Sequence, residues 1–114
     1  MKRLEDITLT PSQQEALAEL QRRVCSEFAV ESVILFGSVA RGEADKESDV
    51  DLLIVTAKPL DRPVRHEITK IIFRINLKYG TNFSSLVVDR ENWEKGLLSF
   101  SPIREEILKE GVPL

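Results

Sequence analysis

The chain has 114 residues, 42% of them hydrophobic and 31% charged, a composition that excludes a disordered chain and suits one small globular core. Its net charge of −3 argues against a protein whose main task is to grip a nucleic-acid backbone, because that task needs clustered lysine and arginine. No apolar run approaches the roughly 20 residues of a membrane span, and the single cysteine excludes a disulfide framework. We therefore expect one cytoplasmic domain over residues 1–114, with no membrane segment.

The first predicted element is a helix that runs to about Glu27. Thr10 and Gln13 are spaced as a capping box with a proline between them at the first helical position. An apolar stripe at helical spacing follows: Leu17, Leu20, Val24 and Phe28. Cys25 follows Val24 on this helix, and we expect its thiol to be buried and unreactive.

The next two predicted elements are strands. The continuous apolar run over 33–36 is typical of a central strand buried on both faces, and it stops at Gly37. One helical turn over 38–41 and a polar connection over 42–48 lead to a second strand over 49–55. Because strand side chains alternate, Asp49 and Asp51 share one face with Leu53 and Val55.

The remaining elements are mainly helical. Asp61 is placed to cap a long helix that ends at Gly80, with four isoleucines facing inward: Ile68, Ile71, Ile72 and Ile75. A third strand is predicted over 83–88 and a short helix after Asp89. A last helix is predicted from Ser101 to Gly111.

Two acids that share one face of an apolar strand need a cation, because unpaired carboxylates there carry a large desolvation penalty. One candidate is an ion pair with Arg41 or a lysine. The other is Mg²⁺, which prefers carboxylates together with nucleotide phosphate oxygens. The glycine turn after the first strand offers outward N–H groups to an anion, Gly37 permits close approach, and the Ser38 hydroxyl adds a donor. If the two strands are neighbours, a triphosphate would bridge the turn and the metal.

The segment Gly37-Ser38-Val39-Ala40-Arg41-Gly42, followed by Ser48-Asp49-Val50-Asp51-Leu52-Leu53-Ile54, resembles the signature of the DNA-polymerase-β-like nucleotidyltransferase superfamily. The resemblance is strongest to its minimal nucleotidyltransferase group. It implies an α/β (α+β) fold, the polymerase-β palm-like fold, with a small mixed sheet flanked by helices. It implies that Gly37 and Ser38 bind the phosphates of ATP or another nucleoside triphosphate. Asp49 and Asp51 would be catalytic and would hold Mg²⁺, and Arg41 would fix the loop or the phosphates, or form a structural salt bridge.

The resemblance also implies a partner. Minimal nucleotidyltransferases are often encoded beside a helical HEPN-domain protein, as the antitoxin of a toxin–antitoxin pair, so transfer of AMP from ATP to a protein acceptor is the expected activity. The alternative is a catalytically weak nucleotide-binding module that neutralises the toxin by contact. A transferase acting on a small molecule is a third reading, and it would need an acceptor site at a dimer interface.

A third metal carboxylate, which the resemblance implies on the next strand, is missing from residues 82–88. Asp89 follows that strand, and we expect it to cap the next helix. Ser84 or Asn82 is the candidate to position a metal-bound water in its place. The other possibility is a site that binds nucleotide with one metal and turns over slowly.

Two surface features remain. A basic stripe recurs every four residues along the long helix, and we expect a solvated face, with RNA or an acidic partner as the alternative: Arg62, His66, Lys70, Arg74 and Lys78. The C-terminal third is rich in apolar side chains. We expect most of them to cover the sheet and the rest to form a homo- or hetero-oligomeric interface.

Overall fold

The computed structural model describes residues 3–43 and 49–114; Ser48 and most of the predicted polar connection lie outside these ranges. The helices are α1 (Pro11–Glu27), α2 (Ser38–Arg41), α3 (Arg62–Tyr79), α4 (Arg90–Lys95) and α5 (Pro102–Glu110). The strands are β1 (Val30–Phe36), β2 (Val50–Thr56), β3 (Phe83–Asp89) and β4 (Val112–Pro113), and two 3₁₀ turns lie at Leu4–Asp6 and Leu97–Phe100. The predicted order of elements is confirmed, whereas β4 was not predicted.

The four strands form one mixed sheet in the order β3-β2-β1-β4. Strand β1 is antiparallel to β2 and β4, and β2 is parallel to β3. The parallel pair requires a crossover, which α3 supplies. The expected α/β architecture, a small mixed sheet flanked by helices, is confirmed.

The alternation of side chains in β2 divides the core into two layers. Val50, Leu52 and Ile54 pack with α1 and α3 on one face of the sheet. Leu53 and Val55 pack with Trp93 and Ile107 from α4 and α5 on the other face. The predicted division of this strand is therefore confirmed, and Asp51 projects from the same face as Leu53.

Helix boundaries follow the predicted capping signals. The Thr10 side chain accepts a hydrogen bond from the Gln13 N–H while Gln13 caps the Thr10 N–H. Asp61 caps α3, and Gly80 ends it in the left-handed conformation. All four predicted isoleucines of α3 are buried. Strand β1 begins at Val30, earlier than predicted, because Val30 and Ser32 also pair with β2 across an irregularity in the register, although Glu31 and Ser32 are exposed.

Two side-chain expectations have different outcomes. Cys25 is exposed, so the expected buried thiol is wrong; each helical residue turns about 100° from the last, which places Cys25 beside the apolar stripe of Val24. In the C-terminal third, Trp93, Ile107 and Val112 cover the sheet as expected, whereas Phe100 is 87% exposed. Within the described residues, no helix is long and apolar enough to cross a bilayer.

Glu19 ties α1 to α3. Its carboxylate accepts hydrogen bonds from Lys78 Nζ at 2.7 Å and Tyr79 Oη at 2.8 Å. These bonds, that from Lys78 first, lower the pKa of Glu19 below its ordinary value of 4.5. A carboxyl whose pKa is depressed in the folded state contributes stability above its unfolded pKa, and that contribution disappears as the pH falls through the folded pKa.

We therefore expect Glu19→Gln to lower the thermal midpoint at pH 7 by a few degrees. The difference from the parent protein should begin to shrink as the pH falls below about 4.5, the ordinary pKa of this carboxyl, and should disappear once the pH lies below its lowered pKa in the folded protein. Thermal unfolding followed by circular dichroism between pH 3 and pH 7 measures this. A gap that stays constant across that range would show that the interaction is not ionic.

Candidate active site

The turn after β1 depends on a glycine. Gly37 has φ +82° and ψ −157°, a backbone region that is essentially restricted to glycine. It precedes α2, whose backbone closes with a bond from Arg41 N–H to the Gly37 carbonyl at 3.1 Å. Gly42, at φ +73°, ends this helical turn. The chain therefore reverses tightly here and leaves Ser38 half-buried at the start of the turn.

Asp51 lies directly against this turn. Residue 51 is the register partner of Phe36 in the antiparallel pair, so its side chain reaches the residue that follows Phe36. A Cβ added at Gly37 would overlap Asp51 Oδ2 and lie 3.2 Å from Asp51 Cγ. The absence of a side chain at Gly37 is thus what accommodates the carboxylate. The structure brings Gly37 and Asp51 together, as the neighbouring-strand hypothesis required.

Ser84 holds the other oxygen of the same carboxylate. Asp51 and Ser84 are register partners in the parallel pair, and Ser84 Oγ donates a hydrogen bond to Asp51 Oδ1 at 2.7 Å. Asp51 therefore has one oxygen fixed by Ser84 and the other beside Gly37. This contact was not predicted, because pairing between residues 33 positions apart depends on the strand register.

Asp49 immediately precedes β2 and is exposed. By strand alternation it continues the face of Asp51. Asp51, which is half-buried, is therefore the carboxylate that lies against the glycine turn. The roles of these two residues in catalysis and in metal binding stay predictions.

Arg41 is held by two carboxylates. Its Nε donates to Glu43 Oε2 at 3.1 Å, and its Nη1 forms an ion pair with Glu106 of α5. The hydrogen bond to Glu43 raises the pKa of Arg41. Arg41 does not neutralise Asp51 in this arrangement; it ties α2 to α5. The geometry favours the structural salt bridge over direct phosphate binding, and the partner Glu106 was not predicted.

Asp89 lies at the opposite end of β3 from the site. Its register partner is Thr56, the last residue of β2. Asp89 therefore lies about 16 Å along β3 from Ser84. Its carboxylate accepts hydrogen bonds from the Asn92 N–H at 3.1 Å and the Asn92 side chain at 2.6 Å. The predicted capping role is therefore confirmed, and Asp89 does not supply a third carboxylate.

We expect Asp89→Ala to lower the thermal midpoint by roughly 5 °C, because the first turn of α4 loses its cap. Binding of Mg²⁺ with AMP-PNP should remain within about twofold of the parent protein, since the cap is far from the glycine turn. Calorimetric titration and thermal unfolding on the same sample separate the two effects. Loss of nucleotide affinity in a folded variant would return Asp89 to the site.

The candidate metal ligands suit a Mg²⁺ ion that binds together with a nucleotide better than an ion held by protein ligands alone. Mg²⁺ that is bound together with a nucleotide is held by one or two carboxylates plus substrate phosphates and waters. Asp49 and Asp51 are the candidate carboxylates at the start of β2. Among the described residues no group of three or more histidine, cysteine, aspartate or glutamate side chains is placed to hold a metal. The glycine beside Asp51 leaves room for phosphate to approach that carboxylate.

Several known proteins are similar to this chain. Three relatives from Methanocaldococcus jannaschii each carry the name "Putative protein adenylyltransferase". One is 30% identical over 103 residues, which cover 88% of this chain and 95% of the relative. The others are 43% identical over 51% of this chain and 39% identical over 63% of it. This chain spans only 59% and 49% of the length of those two relatives.

Solved structures share the fold. A structure described as a "putative minimal nucleotidyltransferase" is 29% identical, with a TM-score of 0.57 and coverage of 89% of this chain and 92% of that one. A toxin–antitoxin structure with AMP-PNP is 21% identical, with a TM-score of 0.57 over 88% of this chain and 70% of that one. A complex of tri-AMPylated Shewanella oneidensis HEPN toxin with MNT antitoxin is 18% identical, with a TM-score of 0.53 over 88% and 69%.

The family assignment rests on a sequence match that spans all four strands. A family model described as "Nucleotidyltransferase domain" matches residues 17–113, a range that contains the glycine turn, both acids of the motif and Ser84. The resemblance seen in the sequence motif is thereby confirmed. The chain belongs to the nucleotidyltransferase domain family.

Proposed function

We propose that this protein is a Mg²⁺-dependent nucleotidyltransferase that transfers AMP from ATP to a protein acceptor, a HEPN-domain protein whose toxin activity it restrains as an antitoxin. The observation that carries this proposal is the contact between the Asp51 carboxylate and the Gly37 turn. If Asp51 binds the metal and the turn binds phosphate, this contact explains how metal and phosphate would meet at one position. The names of the relatives and the toxin–antitoxin complexes with the same fold support the choice of acceptor.

The residues of the site have distinct roles in this proposal. Gly37 and Ser38 bind the β- and γ-phosphates, while Asp49 and Asp51 hold Mg²⁺. When bound, the ion neutralises charge on the phosphoryl oxygens. Ser84 keeps the Asp51 carboxylate turned so that Oδ2 faces the turn. Arg41 holds α2 in place through Glu43 and Glu106.

The transfer itself is an in-line displacement. The acceptor hydroxyl oxygen forms a bond to the α-phosphorus as the bond to the β-phosphate bridging oxygen breaks, and pyrophosphate leaves. The hydroxyl proton passes to solvent water. The acceptor hydroxyl must therefore reach the start of β2, where Asp49 and Asp51 lie.

A second candidate function is a binding module that neutralises the toxin by contact and keeps only a weak nucleotide site. The favouring observation is Ser84, which faces Asp51 where a third carboxylate would complete the metal ligands. A hydroxyl is a weaker ligand for Mg²⁺ than a carboxylate and is a poorer base for an acceptor hydroxyl.

Incubation with α-³²P-labelled ATP, Mg²⁺ and a purified HEPN-domain protein distinguishes the two functions. Covalent label on the HEPN-domain protein, lost when Mg²⁺ is chelated, supports the transferase. A tight complex that forms without label supports the binding module. Neither label nor complex would contradict both functions.

A further inference from the structure

Strand β3 is an edge of the sheet, and its outer backbone groups are only partly covered. The Val50 N–H donates to the Asn82 carbonyl at 2.9 Å, so even-numbered residues of β3 direct their backbone groups toward β2, and the odd-numbered ones direct theirs outward. The outward residues are Phe83, Ser85, Val87 and Asp89. A free strand edge is a template for another chain unless it is covered.

Helix α3 covers both ends of this edge with side chains. Asn76 imitates a neighbouring strand: its side-chain oxygen accepts from the Phe83 N–H at 2.9 Å, and its side-chain nitrogen donates to the Phe83 carbonyl at 3.0 Å. Arg65 donates to the Val87 carbonyl at 2.7 Å. Between them, no side chain of the described part of the chain bonds the outward N–H and carbonyl of Ser85, which is exposed.

Around Asn76, which covers the Phe83 end of this edge, α3 presents apolar side chains to solvent. Phe73 is 62% exposed and Leu77 is 70% exposed. Together with residues of the α3–β3 connection they line a surface pocket of about 490 Å³. Exposed aromatic and aliphatic side chains that adjoin an unpaired strand edge indicate an interaction surface. We call Phe73, Leu77 and the outer edge of Ser85 and Val87 the β3-edge surface.

The charge around the β3-edge surface indicates what binds there. The chain carries a net charge of −3, yet the exposed side of α3 is basic. Lys70 is paired with Glu67. Within residues 3–43 and 49–114, neither Arg62 nor Arg74 forms an ion pair with a carboxylate. Two copies meeting at this edge would bring these positive charges together, so an acidic partner is favoured over a second copy.

We propose that the β3-edge surface docks an extended, acidic and apolar segment of the acceptor protein, which adds as a strand beside β3. This inference rests on the proposed function for the identity of the acceptor. Neighbouring strands lie about 4.8 Å apart, so a segment at this edge would run about 10 Å from the backbone of Asp51. A long acceptor side chain on the face of Ser84 would then point along the surface that carries the Asp51 carboxylate.

Two variants of the β3-edge surface test the proposal. Ser85→Pro removes the outward N–H and blocks strand addition, while edge positions of a sheet tolerate proline. Phe73→Ser with Leu77→Ser removes the apolar contact from exposed positions. Leu108→Ser is the matched control, because Leu108 is 42% exposed on α5, which packs near β1 rather than β3. Circular dichroism verifies that each variant is folded.

Calorimetric titration with a purified HEPN-domain protein should show affinity reduced at least tenfold in both edge variants and unchanged in the control. Hydrogen exchange at the amides of Ser85 and Val87 should slow when that protein binds. Affinity for Mg²⁺ with AMP-PNP should be unchanged in every variant. If the edge variants lose the partner while the parent protein binds no nucleotide, the docking surface stands and the transferase proposal fails.

Other outcomes would overturn the docking surface. These are parent-like affinity in folded edge variants, or no binding of the HEPN-domain protein by the parent. Light scattering that shows a parent dimer made monomeric by Ser85→Pro would assign the edge to a second copy. A single-stranded oligoadenylate RNA that slows exchange at the same amides and displaces the protein would assign it to nucleic acid.

Discussion

Replacing both acids of the motif, Asp49→Asn with Asp51→Asn, should abolish Mg²⁺-dependent binding of ATP. These substitutions remove two carboxylate charges at the start of β2 while the shapes of the side chains are kept. We expect affinity to fall on the order of 100-fold or more, because opposite charges in contact near a protein surface interact by several kcal/mol and each 1.4 kcal/mol is a tenfold change. Calorimetric titration with Mg²⁺ and AMP-PNP measures the loss.

The matched control changes the same charge elsewhere. Asp6→Asn with Asp61→Asn also removes two carboxylates, and asparagine remains an effective N-cap at position 61. This control should bind nucleotide as the parent protein does. Superimposable titration curves for the parent and the Asp49 and Asp51 double variant would refute the site assignment.

Replacing Gly37 by alanine should have the second large effect, through two separate causes. An alanine at φ +82° and ψ −157° occupies a strained backbone region, which costs roughly 1–3 kcal/mol. The new Cβ also overlaps Asp51 Oδ2, so the carboxylate must turn away from the site. We expect both a lower thermal midpoint and nucleotide affinity reduced about tenfold or more.

Gly42→Ala and Gly80→Ala separate the effect of backbone strain from the effect of a Cβ that overlaps Asp51. Gly42 has φ +73° and Gly80 has φ +67°, and an added Cβ meets nothing within 4 Å at either position. Both variants should be destabilised by about 1 kcal/mol through the left-handed backbone. Gly80→Ala should keep parent-like affinity for Mg²⁺ with AMP-PNP. Equal affinity losses in Gly37→Ala and Gly80→Ala would show that contact with Asp51 is irrelevant to binding.

The two acids of the motif differ in how firmly they are held. Asp51 has one oxygen bonded by Ser84 and the other facing the open position at Gly37, which favours a preorganised carboxylate. Asp49 is exposed and therefore able to reorient when a charged substrate arrives. One rigid and one adaptable acid are compatible with nucleotide binding in either the transferase or the binding module. Labelling of the acceptor is the measurement that separates them.

Local signals were sufficient for most of the secondary structure. The capping box at Thr10, the cap at Asp61 and the glycine at 80 act within a few residues, so their hydrogen bonds are readable from spacing alone. The alternation in β2 also follows from local geometry, and it correctly divided the core between two faces. Cys25 was one exception, because burial at the border of an apolar stripe is decided by the neighbours that pack there.

What the amino-acid sequence by itself determined was the nucleotidyltransferase motif, the order of the main elements and the face of β2 on which Asp51 lies. Only the tertiary structure decided that Ser84 bonds Asp51, that Arg41 pairs with Glu106, and that Asn76 and Arg65 cover the ends of the β3 edge. These contacts join residues far apart in the chain, and strand register and helix packing set them. No spacing rule within one segment encodes such a contact, because its geometry exists only after the sheet has formed.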